Sequence, residues 1–255
     1  MKKFWVLCLF AVIFAPSASF ADNVKVGIIG AMDIEVDTLK HAADISRKIT
    51  RAEMEFCEGK IGGVDVVIVK CGMGKVNAGI CVQILLDLFN VTHVINTGVA
   101  GALNNALDIG DIVIAVDAVQ HDFDVEPIGF RRGEIPYTGL VAFKADDKLR
   151  KKAVEAVRAA APDVKVIEGR ICTGDQFIAS KEQKEKIISS FGGDCCEMES
   201  GAIAQACHLN HVPFIIIRAI ADKADASETV DFHEFEEATA RHCAAITEYM
   251  LKAWD

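Results

Sequence analysis

No run rich in lysine and arginine occurs anywhere in the 255 residues; Arg131-Arg132 and Lys151-Lys152 are isolated pairs. Together with a formal net charge of −10, this disfavours a nucleic-acid partner, since an acidic surface repels phosphate. The chain has no CxxC pair, so no thiolate metal centre is expected, and nothing calls for another cofactor. Internal repeats, low-complexity tracts and interdomain linkers are also missing, which leaves one folded unit. The leading apolar run, residues 4–14, stops at eleven residues, short of the roughly 20 that cross a bilayer.

That run instead has the layout of a removable leader. Lys2 and Lys3 precede it, Pro16 breaks it, and Ser19-Phe20-Ala21 offers a small-x-small cleavage site. A signal peptide is therefore expected over residues 1–21, with export to the periplasm or medium and no membrane span once it is removed. The remaining residues, 22–255, suit one large α/β domain, and a hydrophobic content of 51% supplies its core. Losing the two lysines takes the net charge to −12. Cys8 leaves with the leader, so eight cysteines remain, at 57, 71, 81, 172, 195, 196, 207 and 243. An even count in an oxidising compartment hints at disulfides. Most of them sit inside apolar patterns, where cysteine acts as a small buried hydrophobe, and free thiols are the expectation.

Hydrophobic periodicity alternates between strand and helix. Residues 24–30 (VKVGIIG) read as a buried strand, and 33–43 as a helix with Met32, Val36 and Leu39 inward. Residues 54–59 and 64–71 read as a hairpin turning at Gly62-Gly63. A helix over 75–89 carries Val76, Ile80, Ile84 and Leu88 at turn spacing, and a short strand at 93–96 leads into a turn at Gly98-Val99-Ala100-Gly101. Strand 111–119 is followed by a loop over 120–142 bearing Pro127, Gly129, Gly133, Pro136 and Gly139, a length that is unusual without a function. Then come helix 146–160, strand 164–173, helix 181–190, a short strand closing at Cys195, helix 199–209, strand 213–220 and an amphipathic helix over 232–252. The alternation, with one inserted hairpin, predicts a three-layer α/β/α single domain with a central mixed sheet.

Acidic residues cluster where chemistry is expected. Glu197 and Glu199 fall at a strand-to-helix turn, Asp222 falls just past an apolar strand that carries Arg218, and Glu35 follows the first strand. Taken singly, each is an acid favoured by a helix N-terminus. Gathered at strand ends, carboxylates in differing environments divide acid, base and sugar-holding roles.

Eight blocks in order, GIIGAMDIEV (27–36), CGMGKVNAG (71–79), INTGVAGAL (95–103), GDIVIA (110–115), FKADDKL (143–149), GDQFIAS (174–180), CEMES (196–200) and VPFIIIRAIADKAD (212–225), resemble the 5′-methylthioadenosine/S-adenosylhomocysteine nucleosidases. These have the purine nucleoside phosphorylase fold. The resemblance covers nearly all of residues 22–255 and implies hydrolysis of the N-glycosidic bond of an adenine thionucleoside. It assigns Asp222 as the acid that protonates adenine N7 and Glu35 as the base that activates water. Glu199 would bond a ribose hydroxyl, with Met198 packed on the sugar, Glu197 nearby, and Arg218 orienting the anionic cluster and the water. Phe177 would stack on adenine, the Ile178 backbone would read its edge, and Phe232 would close over base and ribose. Met32 and Met73 would line the sugar or alkylthio side, and Val99 and Ala100 the water site. The long loop would cross a homodimer interface, with Ile128, Phe130 and Pro136 covering the partner's alkylthio pocket.

Without the resemblance, Phe177, Phe232, Met32 and Met73 are ordinary core types, Arg218 is a structural ion-pair partner and Glu35 a solvated helix acid. Two positions depart from the family pattern: Val99 and Ala221 stand where members commonly carry serine. Lower turnover or altered substrate preference is the expected consequence, with the acid, the base and the ribose carboxylate retained. The competing expectations are a phosphate-dependent phosphorylase of the same fold and an exported nucleoside-binding or adhesion protein without activity.

Overall fold

The computed structural model describes residues 24–225 and 231–254, and of residues 231–234 and 236 only the backbone. The expected leader, residues 1–21, lies outside the described residues, and so does the side chain of Phe232.

In chain order the elements are β1 (Lys25–Gly30), α1 (Asp33–Ala42), β2 (Asp44–Arg51), β3 (Met54–Ile61), β4 (Val64–Lys70), α2 (Lys75–Phe89), β5 (His93–Ala102), β6 (Ile112–Gln120), β7 (Ala142–Lys144), α3 (Asp147–Ala160), β8 (Val166–Thr173), α4 (Lys181–Phe191), β9 (Cys195–Glu197), α5 (Ser200–Leu209), β10 (Phe214–Asp222) and α6 (Asp231–Lys252). A single mixed sheet runs β10-β6-β8-β9-β5-β1-β4-β3-β2, with β7 added on β6. Because β10 also pairs with β5, strands β5, β10, β6, β8 and β9 close into a ring, and β1 to β4 extend from it as an open wing. Helices α1, α3 and α6 pack together on the sheet, and α2 packs with α5. This is the expected three-layer mixed-sheet domain. Among the described residues no helix is long and apolar enough to cross a membrane.

Local chemistry explains the boundaries. The β3–β4 hairpin turns on Gly62 and Gly63, both at positive φ (58° and 89°), the backbone a two-residue type I′ turn demands. Helix α3 starts at Asp146, whose carboxylate accepts the Lys148 and Leu149 N–H groups at 2.9 Å, satisfying donors that the first turn leaves orphaned. Helix α2 ends at Asn90 in the left-handed region (φ 53°), its N–H turned back to the Leu85 and Leu86 carbonyls.

Several sequence expectations need correction. The Gly98–Gly101 segment is strand, not turn: β5 runs unbroken to Ala102. Its glycines serve close approach rather than chain reversal, since a Cβ on Gly101 would lie 2.6 Å from Asp222 Oδ1. Cys195 opens β9 instead of closing a strand, and Asp222 is the last residue of β10 rather than just past a strand ending at Ile220. β2 was not expected: as an edge strand, largely exposed and rich in charge (DISRKITR), it carries the polar pattern that blunts sheet edges and so reads as loop. On α2 the buried residues are Ala78, Cys81, Val82, Leu85 and Phe89, whereas Val76 (72%), Ile80 (42%) and Leu88 (44%) are exposed. The segment 121–141 is a loop containing one 3-10 turn, Glu126–Ile128, and an isolated bridge between Ile135 and Leu140. All eight cysteines described are free and buried.

Candidate active site

One cavity collects residues from across the chain. Its walls include Met32, Glu35, Met73, Val99, Ala100, Phe177, Ile178, Glu197, Met198, Glu199 and Asp222, apolar side chains with a few convergent polar groups, as small-molecule sites have. These residues come from the ends of β1, β5, β9 and β10 and the loops after β4 and β8, the strand-end placement usual for α/β sheets.

Glu35 is buried in the first turn of α1. Its Oε2 accepts the Ala31 N–H at 2.6 Å and the Met32 N–H at 3.0 Å, and its Oε1 accepts the Val99 N–H at 3.1 Å. Burial raises its pKa, while the Arg218 charge and these backbone donors pull it back. Gly98 is required beside it, because a Cβ there would press into the Glu35 carboxyl and stand 3.1 Å from Arg218 Nη1.

Glu197 and Glu199 sit two residues apart yet differ in kind. Glu197, at the end of β9, accepts from the Glu199 N–H (3.0 Å), the Ser200 N–H (2.8 Å), Arg218 Nη2 (2.8 Å) and the Thr173 hydroxyl. Burial alone would raise its pKa, but Arg218 and these donors hold it below the ordinary value. Glu199, the N-cap residue of α5, accepts among the described residues only the Gly74 N–H, at 2.8 Å. Burial first, and the charge of Glu197 second, push it up to about 8.

Arg218 does not reach the cavity wall. It stands behind Glu197, with Nη2 also 2.6 Å from Asn96 Oδ1 and 2.8 Å from Ser200 Oγ, and its Nε is buried without a partner among the described residues. Asp222 is 7% exposed and its Oδ1 accepts the Ala224 N–H at 2.8 Å. At the rim, Met73 and Phe177 are more than half and half exposed, at 57% and 50%. Ile128, Phe130 and Pro136 are not on this cavity; Ile128 is 72% exposed and Phe130 stacks edge-on against Tyr137.

The sequence reading missed Ala31, Gly101, Gln176 and Cys196 on the wall, and Asn96, Thr173 and Ser200 behind it. Asn96 had a signal, as a polar side chain inside an apolar strand; buried polar groups are bonded, and its Nδ2 donates to the Ile29 carbonyl at 2.9 Å. Cys196 had none, since thiols line cores as readily as cavities.

The family model of the phosphorylase superfamily matches residues 25–252. The 5′-methylthioadenosine/S-adenosylhomocysteine nucleosidase of Staphylococcus haemolyticus is 39% identical over 228 residues, 89% of this chain and 99% of that protein. Among solved structures, the Neisseria meningitidis enzyme of the same name, in complex with methylthio-immucillin-A, superimposes with a TM-score of 0.87 at 34% identity, covering 90% of this chain and 99% of that one. Futalosine hydrolase of Helicobacter pylori also superimposes, with a TM-score of 0.86 at 29% identity and coverage of 91% and 98%. A match across the whole α/β domain, joined to identity near two residues in five with a nucleosidase of nearly equal extent, places this chain in the phosphorylase superfamily as a member of the 5′-methylthioadenosine/S-adenosylhomocysteine nucleosidase family.

Proposed function

We propose that the protein hydrolyses the N-glycosidic bond of 5′-methylthioadenosine and S-adenosylhomocysteine, and of 5′-deoxyadenosine with them, releasing adenine and the sugar. The observation that carries this reading is that Glu35, Glu199 and Asp222, from three distant stretches of chain, open onto one cavity. Adenine leaves poorly as an anion, so Asp222 gives its proton to N7 as the bond breaks. The anomeric carbon gains positive charge, and Glu35 takes a proton from the water that attacks it. Glu199 and Met198 hold the ribose, while Phe177 and Ile178 hold the base, with Met32 and Met73 toward the sulfur end.

A phosphorylase would need an anion nest beside the sugar. Here the Ala31, Met32 and Val99 N–H groups already donate to Glu35, and the valine side chain adds no donor. Water is therefore the favoured nucleophile.

We also propose a homodimer of exported chains. The exposed apolar stripe on α2 together with Met73 and Leu209, both 57% exposed, is the kind of patch a partner covers. Ile128, Phe130 and Pro136 would then reach over the partner's alkylthio pocket. The basic-apolar-small pattern of residues 1–21 supports export.

The test is adenine release from 5′-methylthioadenosine by the purified protein, with and without phosphate. Release without phosphate, lowered about 10²–10⁴-fold by Asp222→Asn or Glu35→Gln, is expected. Strict phosphate dependence would replace the hydrolase with a phosphorylase, and an inert wild type that binds the nucleoside would leave a binding protein. Amino-terminal sequencing of the mature chain should begin at Asp22; a retained Met1 defeats export by cleavage.

A further inference from the structure

One buried charge has no part in the reaction just described. Lys184 is 4% exposed and lies on the inward stripe of α4 with Ile187 and Phe191, a spacing that ordinarily holds apolar residues. Burying an ammonium is unfavourable unless its donors are bonded. The Lys184 Nζ donates to the carbonyl oxygen of Lys223 at 2.7 Å. Lys223 is the residue immediately after Asp222.

The turn held in this way is a specialised one. β10 slips register between Ile220 and Asp222, and Ala224 takes a left-handed backbone (φ 55°) that few non-glycine residues adopt. The Ala224 N–H is bonded to Asp222 Oδ1. Lys223 reaches outward, its Nζ donating to Asp108 Oδ1 at 2.8 Å and to the Leu107 carbonyl. On the other side Gly101 lies so close that any side chain would meet the Asp222 carboxyl. The Lys223 peptide is thus tied from α4, and the acid is pressed between that turn and the β5 backbone.

We propose that Lys184 is a positioning residue for the reaction: by holding the Lys223 carbonyl it fixes the turn that aims the Asp222 carboxyl into the cavity, without touching substrate itself. This rests on the reading of Asp222 as the acid. Among the described residues, the charged and titratable groups facing Lys184 include Asp222, Lys223 and Asp225 from the end of β10 and its turn, and Cys196 from β9. Burial lowers the Lys184 pKa, and Asp225, Cys196 and Asp222 work against that, so the ammonium is electrostatically tied to the same turn.

The experiment follows adenine release from 5′-methylthioadenosine against pH for the wild type, Lys184→Met, Lys184→Arg, Asp222→Asn and the double variant Lys184→Met/Asp222→Asn. A misaimed acid predicts that Lys184→Met loses about 10–100-fold in kcat while KM stays within about twofold. Lys184→Arg, which keeps donor and charge, recovers most of the rate. With Asp222 already replaced, the lysine change adds no further loss, because there is no acid left to aim. Wild-type kcat in Lys184→Met overturns the proposal, and so does a full, additive loss in the Asp222→Asn background, which marks a role in folding alone. Should Lys184→Met not fold, Lys184→Gln, too short to hold the Lys223 carbonyl, is read by the same outcomes. A wild type that releases no adenine removes the reading of Asp222 as the acid and this proposal with it; an active wild type with an indifferent Lys184→Met removes the proposal alone.

Discussion

Four carboxylates meet at the cavity, and their surroundings separate them. Glu35 has its proton affinity raised by burial, so hydrolysis should fail on the acid side at a pH above the ordinary glutamate value; a kcat/KM profile with its acidic limb at or below that ordinary value would contradict Glu35 as the base. Glu199, at about 8 in the fold, keeps its proton where an unfolded glutamate near 4.3 has lost it. The folded state thus binds more protons, and stability falls as pH rises from the unfolded value through about 8. Glu199→Gln keeps an acceptor for Gly74 and removes that penalty. Its melting temperature should match the wild type near pH 4 and exceed it increasingly up to about pH 8, measured by thermal scans across pH; a gain that is constant with pH would show that ionisation is not the cause. Gly101→Ala places a methyl carbon 2.6 Å from Asp222 Oδ1 and should cost about 10²-fold in kcat; unchanged kcat means the acid does not sit against β5 when it works. At this scale the acids themselves were legible, since Glu35, Glu197, Glu199 and Asp222 fall at element ends where carboxylates gather. Their different proton affinities were not, because burial and the Arg218 contact come from strands far apart in sequence.

Elements were read well where the signal is local. The hairpin at Gly62-Gly63 and the helix after Asp146 follow from turn and cap chemistry alone. Replacing Asp146 with alanine leaves the Lys148 and Leu149 N–H groups without that acceptor, and urea unfolding should report a loss of about 1 kcal/mol; no change would place those donors on water instead. The local signal misled at β5, where glycine means either reversal or close approach, and only the Glu35 and Asp222 side chains decide between the two. It was silent on α2, which is apolar on two sides. Periodicity finds such a helix without saying which side the sheet covers. Nothing local marks Lys184 as buried either: its burial depends on the β10 turn that packs across it.

For the molecule as a whole, eight thiols and one uncovered stripe carry the predictions. Burial pushes the thiols of Cys172 and Cys243 up to about 12, leaving almost no reactive thiolate at neutral pH. If the leader is removed as proposed, the native protein should therefore react slowly with a thiol reagent, and without reductant its denatured form should titrate the eight thiols that remain; six or fewer would reveal a disulfide. If the α2 stripe is the dimer contact, Ile80→Glu should convert a dimer of the mature chain to a monomer in sedimentation and lower turnover by opening the alkylthio end. A wild type that sediments as a monomer ends the dimer proposal.

The order of strands and helices, the class of fold and the positions of the acids were set by local sequence, because periodicity, caps and strand-end residues act over a few neighbours. Closure of β5, β10, β6, β8 and β9 into a ring belongs to the tertiary structure alone. So do the burial that separates Glu197 from Glu199 and the tie from Lys184 to the acid's turn. Each depends on contacts between segments far apart along the chain, and a proton affinity is a property of the surroundings as much as of the residue.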